Sequence, residues 1–108
     1  PLVVVGVILE KNIEDLNDSK KLSEKKRVQL YEKIKENCKY KIVIIENTTI
    51  DKKGLSLCIK DALIKIIASL RADRYIFDGN SRFGVEKIEP IIKADQKIKE
   101  VMAASILA

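Results

Sequence analysis

The sequence predicts an α/β domain, a layer of strands with helices packed on it. Three observations carry that reading: β-branched runs at residues 1–9 and 40–45 with a third short strand at 74–77, intervening segments with apolar residues three and four apart, and the alternation of the two along the chain. Pro1-Leu2-Val3-Val4-Val5-Gly6-Val7-Ile8-Leu9 carries no charge, which suits a strand covered on both faces. A buried strand is an unusual way to open a domain, so the sequence raises the expectation of an upstream partner. Residues 12–17 are polar and turn-like. Ser23 is placed to cap a helix in which Val28, Tyr31, Ile34 and Cys38 follow helical spacing, with Glu24 favourably near the positive end of its dipole. Residues 40–45 form the second strand, and the mostly polar residues 46–49 turn the chain. A second helix is expected from 50 or 51 to about 70, with Leu55, Ile59, Leu63, Ile66, Ile67 and Leu70 on one broad face and Lys60, Asp61 and Lys65 on the other. Residues 74–77 are a short strand running into Asp78-Gly79-Asn80, a turn signal. Residues 88–93 read as extended, with Pro90 inside, and the chain is helical from Asp95 onward. Strand, helix, strand, helix, strand is the pattern of a parallel layer, and such layers place function at the carboxyl ends of their strands. Asp78 is the residue there.

The 108 residues allow one domain, and at 46% hydrophobic content they can bury roughly two-thirds of their unfolded surface without covalent staples. Two cysteines, Cys38 and Cys58, and no histidine exclude Cys/His zinc sites and thiolate–imidazole catalysis. Both cysteines read as small buried hydrophobes, one on each helix. Their number fits a reducing compartment, so the expected location is cytoplasmic. No apolar run approaches the ~20 residues of a spanning helix, and no basic segment precedes an apolar one at the amino terminus, so no membrane partner is expected. Lys and Arg number 21 against 16 Asp and Glu, a formal net charge of +5. Much of this charge alternates along helix surfaces, yet it is compatible with a polyanionic partner. Without histidine, carboxylates, lysines or a carboxylate-bound metal are left to carry any chemistry.

Two constellations follow. Asp78-Gly79-Asn80 and Lys93-Ala94-Asp95 put two carboxylates on adjacent elements, where they could share a hard divalent cation; equally, Asp78 starts a turn and Asp95 caps a helix. Asp18-Ser19-Lys20-Lys21-Leu22-Ser23 sets two ammonium groups beside a hydroxyl and helix-start amides, a combination that receives phosphate. The same residues also make an ordinary solvated capping segment.

Read in order, these pieces resemble the ribonuclease HII family. The residue 1–9 run is similar to that family's second strand, and Leu16-Asn17-Asp18-Ser19-Lys20-Lys21-Leu22-Ser23 to its Asn-Asp-Ser-Lys-Lys-Leu-Ser segment. Asp78-Gly79-Asn80 resembles the family's Asp-Gly-Asn. Lys93-Ala94-Asp95-Gln96-Lys97 with Ala103-Ala104-Ser105-Ile106-Leu107-Ala108 resembles its Lys-Gly-Asp-x-Lys and Ala-Ala-Ser-Ile-Leu-Ala. The likeness spans the whole chain.

The resemblance implies a ribonuclease H-like fold, a mixed sheet with helices packed on it, of which residues 1–108 are a single partial domain. It further implies a metal-dependent endoribonuclease that cuts the RNA strand of RNA–DNA hybrids, or of DNA with embedded ribonucleotides, with Mn²⁺ or Mg²⁺ held by four carboxylates. Two of the four map here, as the catalytic and metal-binding residues Asp78 and Asp95. The other two belong to an Asp-Glu-Ala-Gly-Arg-Gly motif on the family's first strand, which these residues do not contain. By the same likeness Ser19, Lys20, Lys21, Asn80, Lys93 and Lys97 bind substrate. The expectation is an internal fragment, inactive alone, whose parent is a monomer and whose open strand edge, along residues 1–9, invites self-association. A non-catalytic nucleic-acid-binding or structural piece is the alternative. Ala94 stands where the motif has Gly and needs only ordinary backbone angles.

Overall fold

The computed structural model describes residues 1–10, 13, 16 and 23–108. Its elements run β1 (Leu2–Leu9), α1 (Glu24–Asn37), β2 (Cys38–Ile45), α2 (Asn47–Lys53), α3 (Leu55–Ser69), β3 (Tyr75–Asp78), β4 (Ile88–Ile91), a single 3₁₀ turn (Ala94–Gln96) and α4 (Lys99–Leu107). Strand β1 pairs antiparallel with β2, from Leu2↔Ile45 to Leu9↔Cys38, and β3 pairs parallel with β4, from Tyr75↔Ile88 to Asp78↔Ile91.

The period-2 alternation of β1 sorts two cores. Val5, Val7 and Leu9 pack with Leu30, Ile34, Cys38, Ala103 and Leu107 on the face carrying α1 and α4. Val4 and Ile8 pack with Val43, Ala62, Ile66 and Leu70 on the face carrying α3. The strand is therefore covered on both sides, as its uncharged sequence anticipated. Ser23 does cap α1: its hydroxyl accepts the Lys26 amide at 3.4 Å.

Four local expectations are corrected. The β1–α1–β2 unit is antiparallel rather than parallel. Helix α1 ends beside the end of β1, where the Glu10 amide donates to the Asn37 carbonyl at 3.3 Å, and β2 can only run back along β1. Cys38 opens β2 instead of closing α1, although both cysteines are free and buried. Burial pushes the Cys38 thiol above its ordinary range, with the nearby carboxylates Glu10 and Glu100 adding to the shift, so it is a poor thiolate. The expected single helix over residues 50–70 is two, and Asn47, Thr48 and Thr49 belong to the first rather than to a turn. Gly54, at φ 88°, ends α2 with its amide on the Ile50 carbonyl at 2.8 Å and starts α3, a left-handed conformation that glycine adopts at little cost. As a result Leu55 is 53% exposed instead of packed, and Cys58 and Ala62 take the core-facing positions.

Each strand pair has a free side, and the two face each other. An open cavity of about 380 Å³ separates β1 from β3, roofed by Leu63 and Ile67 of α3 and by Val101 and Ala104 of α4. Among the described residues no strand lies between them.

Gly6 is where α3 crosses β1 most closely. A Cβ there would collide with Ile66 Cγ2 and come within 3.2 Å of Leu70 Cδ1. Gly6→Ala is expected to destabilise the fold by about 1–3 kcal/mol through overpacking, read as a lower denaturation midpoint at unchanged slope. An unchanged midpoint would show that α3 shifts at no cost.

Candidate metal centre

Asp78 is the last residue of β3, and its backbone is fixed from both sides. It faces Ile91 in the parallel ladder, and the next amide, Gly79 N–H, donates to the Ile91 carbonyl at 3.2 Å. The upstream end of the strand is anchored by Tyr75, whose hydroxyl donates to the Leu70 carbonyl at 2.7 Å and accepts from the Ala72 amide at 3.1 Å. The exposed Arg74–Glu89 ion pair, 3.0 Å, bridges β3 and β4 but adds little at such a solvated site.

The Asp78 side chain is exposed and reaches across to the other candidate segment. Its Oδ1 accepts the backbone N–H of Ala94 at 3.1 Å. Ala94 is fully buried, and its carbonyl accepts the amides of Lys97 and Ile98 at 3.0 and 2.9 Å, closing the 3₁₀ turn that carries Asp95. The two acidic motifs are thus joined through the residue immediately before Asp95. Their side chains nevertheless open onto different surfaces: Asp78 lines the cavity between β1 and β3, and Asp95 lines a groove with Arg27 and Tyr31 of α1 and Met102 of α4. Ser105 and Ala108 border both.

Asn80, Lys93 and Lys97 are exposed around this corner. Ser19, Lys20 and Lys21, the candidate phosphate contacts, lie outside the described residues. Lys93 adopts φ 57°, ψ 36°, so the left-handed residue of the Lys-Ala-Asp segment is the lysine and not Ala94, whose ordinary backbone angles agree with the sequence reading. Phe83 is the other non-glycine at positive φ, 52°. Its ring meets Phe77 edge-on at 5.8 Å, and its amide donates to Ser81 Oγ at 3.1 Å, which stiffens the loop that follows Asp78. Neither left-handed residue has a signature in sequence, since Lys and Phe give no turn signal.

The donor set is two hard carboxylate oxygens, which suit Mg²⁺ or Mn²⁺ and not a soft metal. Among the described residues no group of three or more His, Cys, Asp or Glu is gathered to hold an ion. Asp78 and Asp95 each offer oxygens of the kind such a cation takes, from adjoining openings.

Helices on both faces of strand pairs, with an acid at a strand's carboxyl end tied to a second acidic turn, define an α/β domain with function at its strand ends. The comparisons give it its place. The Ribonuclease HII family model matches residues 1–108, and the chain belongs to that family. It is 50% identical to ribonuclease HII of Aliarcobacter butzleri over the whole of this chain and 57% of that protein, and 55% identical to the Campylobacter hominis protein over 60% of its length. A chain in the solved PCNA:RNase HII complex from Archaeoglobus fulgidus superposes with a TM-score of 0.81 at 28% identity, covering 98% of this chain and 61% of that one. The chain therefore spans a little under two-thirds of the length of these relatives.

Proposed function

We propose that residues 1–108 are the part of a ribonuclease HII that supplies Asp78 and Asp95 to a divalent metal site, and that a family-length protein carrying them cuts the RNA strand of RNA–DNA hybrids or of DNA with embedded ribonucleotides. The observation that carries this reading is the 3.1 Å bond from the Ala94 amide to Asp78 Oδ1. It holds the two acidic motifs together at one corner of a domain that the family matches from end to end.

A bound Mg²⁺ or Mn²⁺ supplies the charge that activates water and stabilises the leaving oxygen. The chain's own contribution is positional. Asp78 and Asp95 hold hard oxygens at a rigid corner, Asn80 supports the loop after β3, and Lys93 and Lys97 set positive charge beside a scissile phosphate. Ser19, Lys20 and Lys21 are assigned to backbone phosphates by motif alone. No helix among the described residues is long and apolar enough to cross a membrane.

Hybrid duplexes labelled on either strand test the proposal. The family-length protein is expected to cut the RNA strand in Mg²⁺ or Mn²⁺, to stop in chelator, and to spare an all-DNA duplex. Equal cutting of the DNA duplex would contradict it.

The free sides of β1 and β3 also bear on assembly. Unpaired strand edges recruit other chains, so the 108-residue chain alone is expected to self-associate or melt at low temperature, whereas a family-length protein is monomeric. Sedimentation decides this: a single sharp monomer boundary for the isolated chain, with cooperative melting, would count against it.

A further inference from the structure

The carboxylate of Asp78 is exposed, yet one of its oxygens is committed to a backbone amide from another element. That amide is delivered by an unusual residue. Lys93 follows β4 in the left-handed region, φ 57° and ψ 36°, where a residue with a Cβ is disfavoured and a β-branched one is a genuine outlier. The reversal it makes turns the chain from the end of β4 into the 3₁₀ turn. It also directs the next N–H, that of Ala94, onto Asp78 Oδ1 at 3.1 Å. Among the described residues nothing bonds Asp78 Oδ2.

We propose that Lys93 is a positioning residue whose left-handed backbone, rather than its ammonium group, sets the rotamer of Asp78, committing Oδ1 to the Ala94 amide and presenting Oδ2 to a divalent cation. The metal half of this statement rests on the functional reading above; the hydrogen-bonded half does not. Strain of this kind persists only where the surroundings impose it. Here they do: Ala94 is fully buried, and its carbonyl is bonded to two amides of the following turn. The turn is thus held at both ends, and the kink at Lys93 is the way its amide reaches the acid.

Backbone and charge are separated by two neutral replacements. Asn tolerates the left-handed region and Val does not, while both remove the same positive charge. Lys93→Asn, Lys93→Ala and Lys93→Val are compared in the ¹⁵N-labelled family-length protein by amide exchange at Ala94 and by Mn²⁺-induced line broadening around residues 78–80 and 94–97. Lys93→Asn is expected to keep both the Ala94 protection and the Mn²⁺ concentration for half-broadening within about threefold of the parent. Lys93→Val is expected to lose Ala94 protection by at least about tenfold and to need about tenfold more Mn²⁺, with Lys93→Ala between them. Protection at Ile34 and Ile66 should be unchanged, which separates positioning from general loss of stability. Asp78→Ala should also expose the Ala94 amide.

Equal behaviour of the Asn and Val variants would overturn the proposal, and so would full Ala94 protection in Asp78→Ala. Absence of Mn²⁺ broadening near Asp78 in the parent protein would overturn the metal half together with the functional reading. The exchange measurements would still decide the hydrogen-bonded half.

Discussion

Asp78→Asn in a family-length protein is expected to lower hybrid cleavage on the order of a hundred- to a thousandfold, the scale on which removal of one preorganised charge-stabilising contact is felt. Asparagine keeps the shape of the side chain and its carbonyl can still accept the Ala94 amide, so the fold is unaffected. What it removes is the negative charge that holds a hard cation. Asp95→Asn is expected to act alike. Neither change touches a lysine, so hybrid affinity should stay nearly constant. Lys20→Ala should show the reverse pattern, with weaker binding, a smaller effect on the chemical step and a salt slope lower by about one unit if one phosphate contact is lost. Undiminished cleavage by both Asp variants would refute the assignment of the site.

The 108-residue chain itself is expected to bind RNA–DNA hybrid and not to cut it. Its 21 Lys and Arg include every lysine assigned to phosphate, so binding should weaken steeply as salt is raised. The proposed metal site has two carboxylates here, where the resemblance implies four, and two acids hold a divalent ion weakly and with most of its water. Titration of a labelled hybrid at low and moderate salt, followed by incubation in Mg²⁺ or Mn²⁺, checks both halves. Turnover by the isolated chain would mean that Asp78 and Asp95 suffice. Salt-independent binding would remove the lysines from the account.

The elements that were legible in the sequence are those whose cause is local. The uncharged β-branched run at residues 1–9 declared a strand covered on both faces, because only such a position accepts eight apolar side chains of alternating direction. Ser23 and Glu24 marked the start of α1, and an acid between a short aromatic-rich strand and a Gly-Asn turn marked Asp78. The direction of β2 was not legible. It depends on which end of β1 the helix α1 finishes beside, and neither the strand's composition nor the helical spacing of α1 encodes that. The division of α2 from α3 was signalled by Gly54, but the helical spacing on either side of it concealed the break. The contact between the acidic motifs is carried by a backbone amide and by a left-handed lysine, features that side-chain chemistry does not announce. The two-carboxylate reading was therefore visible as a pair of motifs, while the bond that joins them was not.

The central claim is that Asp78 and Asp95 serve one ion site, although in this structure they line adjoining openings. A crystal structure of the family-length protein soaked in Mn²⁺, with the metal located by its anomalous scattering, tests this directly. The account predicts a peak in direct or water-mediated contact with both carboxylates, which lie within roughly 5–8 Å of each other, the range over which ions bridge. A peak at neither residue, or an Asp95 that remains turned into the α1–α4 groove while Mn²⁺ binds elsewhere, would contradict it.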